Sequence, residues 1–341
     1  MDNQAQIQNA LDEARQVAIV VHTHPDGDAI GSGLAMKRML EKQGKQVTLI
    51  SPDQVPEYLR WLPGSEAIIE ADARPAEAVG AIREADRLLM LDHNHPGRTG
   101  KVLEPVVDEK IRQGKALLID HHLEPDPRIR PALSEPGYSS TAELVYRFFK
   151  RAGWWPRWAD KATATQLYTG IMTDTGSFRF GSTTGDTHRA VADLIDRGAD
   201  NEAIHVQIYD TYSLDKMRLL AHALQNMQLL EDCGASYMVL DRPTLERFHF
   251  KPGDTEGIVN YGISLKDARF TTLITEQPGL DHIKLSFRSK GDFDVNRFAR
   301  RYFDGGGHKN AAGGRSFDSL PETVRKLEEA IKENCQEIKG R

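Results

Sequence analysis

The stretch HTHPDGD at residues 22–28 puts His22, Asp26 and Asp28 on one short turn, directly after the apolar run VAIVV. Three more clusters of the same character lie downstream. Asp92 closes ADRLLMLDH, Asp120, His121 and His122 close KALLIDHH, and Asp174 stands in GIMTDTG. Imidazoles and carboxylates without thiols form a hard-to-borderline ligand set, which suits Mn²⁺ better than a structural zinc. Four aspartates and one or two histidines exceed the needs of one ion, whereas two ions sharing a bridging carboxylate and a hydroxide would use them all. Singly, each cluster has an ordinary explanation. Asx caps and a surface histidine account for 22–28, and a helix end followed by a turn accounts for TDTGSF. Four clusters, each at the end of an expected strand or helix, are not what capping alone produces.

The elements that must position these groups follow from periodicity. Ile7, Leu11 and Ala14 have helical spacing, and VAIVVH (17–22) reads as a buried parallel strand that delivers His22 at its end. A helix over 31–46 closing near Gly44, a strand VTLIS (47–51) and a short strand at 66–71 come next. ADRLLMLDH and KALLIDHH read as strands running into acids and histidines, with a helix over 106–114 between them. Helices are expected over 140–153 and 159–176, the second carrying Asp174 near its end. Alternating strands and helices imply a doubly wound, mostly parallel sheet, and such sheets bind ligands at the carboxyl ends of their strands. His22, Asp92 and Asp120 all fall there.

Beyond residue 195 the texture changes. A helical stretch at 214–234 precedes three strand-like runs, ASYMVLD, RFTTLITEQ and HIKLSFRSK. A helix DVNRFARRYF then meets DGGGHKNAAGG, and an amphipathic helix follows. The expected organisation is a catalytic α/β domain over 1–195, a helical linker over 196–214 and a smaller α/β domain over 215–341. A chain of 341 residues is long enough for two cores.

Bulk properties narrow the function classes. The formal net charge of −6 excludes a whole-molecule basic field, so a polyanion needs a local basic patch or a bound metal. Cys233 and Cys335 lack CxxC spacing, which argues against a thiolate zinc site; they make no case for a disulfide and fit a reducing compartment. No stretch of eighteen apolar residues and no signal-like start occur, so a cytoplasmic protein without a membrane partner is expected.

HTHPDGDAIGS, LLMLDHNH, LLIDHH and GIMTDTGSF resemble, in order and interval, the four motifs of the DHH phosphoesterase superfamily. FDGGGHKNAAGG resembles the glycine-rich signature of the accompanying DHHA1 domain, and the short chain is most similar to the oligoribonuclease/pAp-phosphatase (NrnA-like) group. This resemblance implies two divalent cations, Mn²⁺ with Mg²⁺ as the alternative. His22 and Asp26 would bind one ion, Asp28 and His121 the other, Asp92 would bridge them, and Asp174 would complete the first ion's set. Asp120 would orient its neighbours, and His122 would face the substrate phosphate or leaving group, with a shared activated water attacking phosphorus in line. Arg98 falls where the family tends to carry an arginine, with a phosphate contact and a structural carboxylate pair equally open. His24, His93 and His95 fall outside the ligand positions.

In the second domain Gly305, Gly306, Gly307 and His308 offer unshielded backbone N–H groups, and Arg288 offers a planar guanidinium for phosphate. The resemblance implies that this domain grips the nucleotide, with the reaction in a cleft between the domains. The expected substrates are very short RNA or DNA, linear dinucleotides such as pApA, and 3′-phosphoadenosine 5′-phosphate. A RecJ-like single-strand exonuclease and a non-catalytic nucleotide-binding regulator are the rival readings. The sequence leaves the oligomeric state open, a homodimer included.

Overall fold

The apolar run after Arg15 becomes β1 (Gln16–Val20). It joins β2 (Gln46–Ser51), β3 (Ile69–Glu70), β4 (Arg87–Leu91), β5 (Ala116–Asp120) and β6 (Ala132–Ser134) in a sheet of order β3-β2-β1-β4-β5-β6. Every neighbouring pair is parallel. The computed structural model describes residues 2–340. Its chain divides into two units, the first ending at Thr211 and the second starting at Tyr212. β4 and β5 read as unbroken apolar runs because helices cover both faces of the sheet.

Those helices are α1 (Asn3–Glu13), α2 (Gly27–Glu41), α3 (Pro75–Glu84), α4 (Gly100–Arg112), α5 (Thr141–Arg151), α6 (Trp155–Trp158), α7 (Lys161–Asp174), α8 (Gly185–Asp196) and α9 (Asn201–Tyr209). One core gathers Leu34, Met39, Phe148, Phe149, Leu167 and Ile171 on one side of the sheet; another gathers Ile82, Leu103, Val107 and Ile111 on the other. α2 and α7 approach closely because a Cβ at Gly31 would collide with the Gln166 carbonyl.

Several details of this unit differ from the sequence expectations, among them α4, which starts at Gly100 rather than 106. α2 starts at Gly27, so Asp28 sits in its first turn and Asp26 caps it. The strand expected at 66–71 shrinks to Ile69–Glu70, because 65–67 forms a 3-10 turn. Residues 196–214 hold a helix as expected of the linker, but α9 packs into the first unit, with Ile204 and Ile208 buried in its core.

In the second unit β7 (Gln228–Leu230), β8 (Ala235–Leu240), β9 (Phe270–Thr275), β10 (Ile283–Ser289), β11 (Gly306–His308) and β12 (Ala311–Ser316) form a sheet of order β11-β12-β10-β9-β8-β7. Only β8 and β9 pair parallel among the described residues. The helices here are α10 (Leu214–Gln225), α11 (Arg242–Arg247), α12 (Ile258–Ile263), α13 (Val295–Tyr302), α14 (Leu320–Glu333) and α15 (Cys335–Lys339). The helix expected over 214–234 ends at Gln225, and the chain turns into β7. β10 alternates strictly: Ile283, Leu285 and Phe287 enter a core with Phe270, Phe298 and Phe303, while Lys284, Ser286 and Arg288 occupy the other face. Cys233 and Cys335 lie with Cα atoms 4.8 Å apart and are joined in a disulfide, which their sequence spacing did not indicate. No described helix is long and apolar enough to cross a membrane.

Candidate metal centre

The strand order of the first unit reverses between β1 and β4, and ligands of open α/β sheets collect at such a switch point. His22 follows β1 there and Asp92 follows β4. The His22 Nδ1–H donates to the Thr23 carbonyl at 2.8 Å, which turns Nε2 toward Asp92 Oδ2 (3.3 Å) and Asp26 Oδ1 (3.9 Å). His121, just past β5, repeats this design. Its Nδ1 meets the Tyr138 carbonyl at 3.3 Å, and Nε2 lies 3.4 Å from Asp174 Oδ2 and 3.7 Å from both Asp28 Oδ2 and Asp92 Oδ1. Metal-ligating histidines are oriented in this way, one ring nitrogen fixed by a carbonyl and the other presented to the ion.

Asp92 adopts φ +60, a left-handed backbone that an aspartate tolerates better than a bulky residue. Its N–H still bonds the Ile119 carbonyl at 3.3 Å, so the turn stays stitched to β5 while the buried carboxylate points among the imidazoles. Two triads result, His22–Asp26–Asp92 and Asp28–Asp92–His121, each with ligand atoms within 4.8 Å of one another. They share Asp92. A third, Asp92–Asp120–His122, overlaps them. Asp120 receives His122 Nδ1 at 2.7 Å and the His122 N–H at 3.1 Å, so it fixes that ring.

The electrostatics show charge waiting for compensation. Burial, reinforced by repulsion from Asp92, Asp174 and Asp26, pushes the Asp28 carboxyl well above the usual carboxylate range. At Asp92 burial is outweighed by the His22 hydrogen bond and the charges of His122, His22 and His121, and its carboxyl is held low. His22 is raised: burial and Arg98 oppose its charge, but the Asp92 bond and the Asp26 and Asp92 charges prevail. His121 is raised against burial by Asp174, Asp92 and Asp120. Burial lowers His122 despite its bond to Asp120. A buried carboxyl raised by its acidic neighbours and two imidazoles raised by the same carboxylates mark an excess of negative charge. Divalent cations would relieve it, and the oxygen and nitrogen donors fit them.

Asp174 differs from the sequence expectation. It groups with His121 and Asp28, not with His22 and Asp26, because α7 crosses directly over α2. A Cβ at Gly170 would meet Asp28 Oδ1 at 3.0 Å, and Asp174 is four residues on along the same helix face. Arg98 lies in a 3-10 turn (Pro96–Thr99) tied to the first motif by the Thr23 N–H on its carbonyl, 2.7 Å. Its guanidinium forms no ion pair with any described residue, yet its charge depresses His22, His93 and His122. His95 caps that 3-10 turn, and the His24 N–H bonds Asp53. His93 is buried with Nδ1 on the Leu91 carbonyl, and burial pulls its pKa down to about 3.

One residue of the centre escaped the sequence reading. The Thr141 hydroxyl donates to Asp92 Oδ1 at 2.9 Å, and the N–H groups of Thr141 and Ala142 each reach Asp28 at 2.7 Å. The S-x-x-E pattern of Ser140 and Glu143 marks a helix start, but nothing in it says where the hydroxyl of the next residue points.

In the second unit the glycine-rich signature forms a hairpin. Gly306, Gly307 and His308 pair with Gly313, Ala312 and Ala311. The Gly307 N–H donates to Asn296 Oδ1 at 3.0 Å, so it is not an unshielded donor. A Cβ at Gly307 would lie 2.6 Å from the Ala311 carbonyl oxygen, so close strand contact is what requires glycine there. Ala311 faces His308 on one side and Arg288 on the other, which puts both basic residues in one row across three strands. Residues in such a row share a face of the sheet, which is part-exposed at Arg288 and His308 and buried under an apolar core over β8 and β9.

Residues 16–171 match the DHH family N-terminal domain, and residues 236–339 match the DHHA1 domain. The chain is 28% identical to the bifunctional oligoribonuclease and PAP phosphatase NrnA of Bacillus subtilis, across 93% of this chain and 95% of that one. It is 27% identical to the protein of the same name from Thermus thermophilus, across 93% and 89%. The crystal structure of an exopolyphosphatase-related protein from Bacteroides fragilis superposes with a TM-score of 0.91 at 35% identity, covering 99% of this chain and 97% of that one. With its acids and histidines gathered at the switch point and both domain signatures present, the chain belongs to the DHH family, in the form that carries a DHHA1 domain.

Proposed function

We propose that this chain is a two-metal phosphodiesterase and phosphatase. It releases mononucleotides from very short oligoribonucleotides and linear dinucleotides, and converts 3′-phosphoadenosine 5′-phosphate to AMP. The observation that carries this reading is the pair of ligand triads sharing Asp92, built from three separate stretches of chain. The activities for which the Bacillus subtilis and Thermus thermophilus relatives are named support the substrate class.

In this reading His22, Asp26 and Asp92 would hold one divalent cation, and Asp28, Asp92, His121 and Asp174 would hold the other, with Mn²⁺ favoured over Mg²⁺ by the imidazole content. Bound there, the ions would supply an activated water at neutral pH and neutralise charge on the phosphate. The chain's own groups do the rest. Asp120 keeps the His122 Nδ1 proton engaged, so Nε2 is the atom offered to substrate. An arriving phosphate brings negative charge that favours the imidazolium, which can then protonate the departing 3′-oxygen. Arg98, with no carboxylate of its own, takes a non-bridging phosphate oxygen. Arg288 and His308 bind the nucleotide, while Gly305, Gly306 and Gly307 allow the close strand packing that sets His308 in their row. A cytoplasmic setting suits these substrates. The Cys233–Cys335 bond weighs on the other side, since disulfides are rare in reducing compartments, and counting free thiols in freshly lysed cells decides the point.

The test is a product profile on 5′-labelled di- to decanucleotides and on 3′-phosphoadenosine 5′-phosphate, comparing Mn²⁺, Mg²⁺ and chelator. Mononucleotides released fastest from the shortest chains, AMP from the bisphosphate, and silence with chelator are expected. Preference for the longest chains, or no turnover with Mn²⁺, contradicts the reading.

A further inference from the structure

Thr141 opens α5 and is wholly buried. The first N–H groups of a helix have no partner within it. Here Ser140 satisfies the Glu143 N–H through its side chain, and the N–H groups of Thr141 and Ala142 go to the two oxygens of Asp28. The Thr141 hydroxyl is not needed for capping. It donates instead to Asp92 Oδ1. One residue therefore grips a carboxylate from the first turn of α2 and another from the end of β4, the two acids that belong to the same triad.

These bonds orient the acids without using them up. A carboxylate oxygen has two lone pairs, so one that accepts a single hydrogen bond keeps a direction open for a cation. Asp92 needs such a constraint more than its neighbours do. Its left-handed backbone fixes where the Cα–Cβ bond starts but not how the carboxylate is rotated, and that rotation sets which oxygen faces which triad.

We propose that Thr141 is a positioning residue whose hydroxyl fixes the rotation of the shared carboxylate of Asp92, so that both triads are aimed at once. This rests on the two-metal reading above. Partners that orient ligands in this way typically change metal affinity or activity by about 10–100-fold when removed.

The test compares Thr141→Val, which keeps shape and backbone but removes the hydroxyl, with Thr141→Ser, which restores it. Mn²⁺ binding is followed by electron paramagnetic resonance and calorimetry, alongside kcat and KM at saturating metal and the thermal midpoint. Thr141→Val is expected to weaken Mn²⁺ binding roughly tenfold or more and to lower kcat with KM little changed, while Thr141→Ser stays near the parent. If Thr141→Val does not fold, Thr141→Ala carries the same expectation against Thr141→Ser. A hydroxyl-free variant that binds Mn²⁺ like the parent overturns the inference, as does a serine variant as impaired as the hydroxyl-free one. A parent that binds no Mn²⁺ removes the two-metal reading itself, so the two failures are told apart.

Discussion

The two units carry their candidate residues in opposite surroundings. In the first, Asp28, Asp92, Asp120 and His121 are all 4% exposed or less and bonded to one another, to backbone or to Thr141. In the second, Arg288 and His308 are part-exposed side chains at the β10–β12–β11 side of a sheet face that an apolar core covers over β8 and β9. Burying charge is costly unless it is paired, so the residues of the first unit depend on each other and on whatever cation they hold. Part-exposed residues on separate strands depend on one another less. The lesson is that a substitution in the first unit should damage a whole centre, whereas one in the second should remove a single contact.

The largest expected effect tests the crowded side. Asp92→Ala removes the acid common to all three overlapping triads, and hydrolysis should fall by more than about 100-fold. Retained activity would mean that the triads work separately.

The same crowding predicts a pH dependence of the metal, which calorimetry in buffers of different ionisation enthalpy measures. In the cation-free chain Asp28, His22 and His121 keep protons above their ordinary ranges. A cation must displace those protons, so Mn²⁺ affinity should rise with pH across the neutral range, about tenfold per unit for each proton released, and fall as pH drops. Flat affinity and no proton release would contradict the excess of negative charge.

On the part-exposed side, Arg288→Ala should raise KM about tenfold with kcat nearly unchanged, the loss of one charge-assisted contact. Equal loss of kcat with KM unaltered would move Arg288 into the chemistry and erase the contrast between the units. The smallest expected effect on the metal comes from Cys335→Ser. Opening a bond that spans 102 residues of the second unit should cost about 2–4 kcal/mol of that unit's stability in chemical unfolding, with Mn²⁺ binding unchanged.

The same contrast explains what could be read in the sequence. β1, β4 and β5 are continuous apolar runs ending in His or Asp, a pattern that states both the strand and its functional end. The strand ends that carry the site therefore followed from sequence periodicity, whereas the strand order that makes β1 and β4 neighbours did not. β11 and β12 were invisible because GGH and AAGGRS contain no β-branched residue, and their pairing depends on glycine's lack of a side chain. The side of the centre that Asp174 joins depends on how α7 crosses α2, which is tertiary geometry. The Thr141 bonds reach 49 residues back to Asp92 and 113 back to Asp28, beyond any local signal. Cys233 and Cys335 were legible as residues and not as a pair, for the same reason.

The most direct test of the central claim is a Mn²⁺ titration of the intact chain followed by electron paramagnetic resonance, with Asp92→Ala run in parallel. The account predicts two Mn²⁺ per chain with the spin coupling of neighbouring ions, and loss of that coupling in the variant. A single uncoupled ion, or two ions that the variant binds as the parent does, would contradict it.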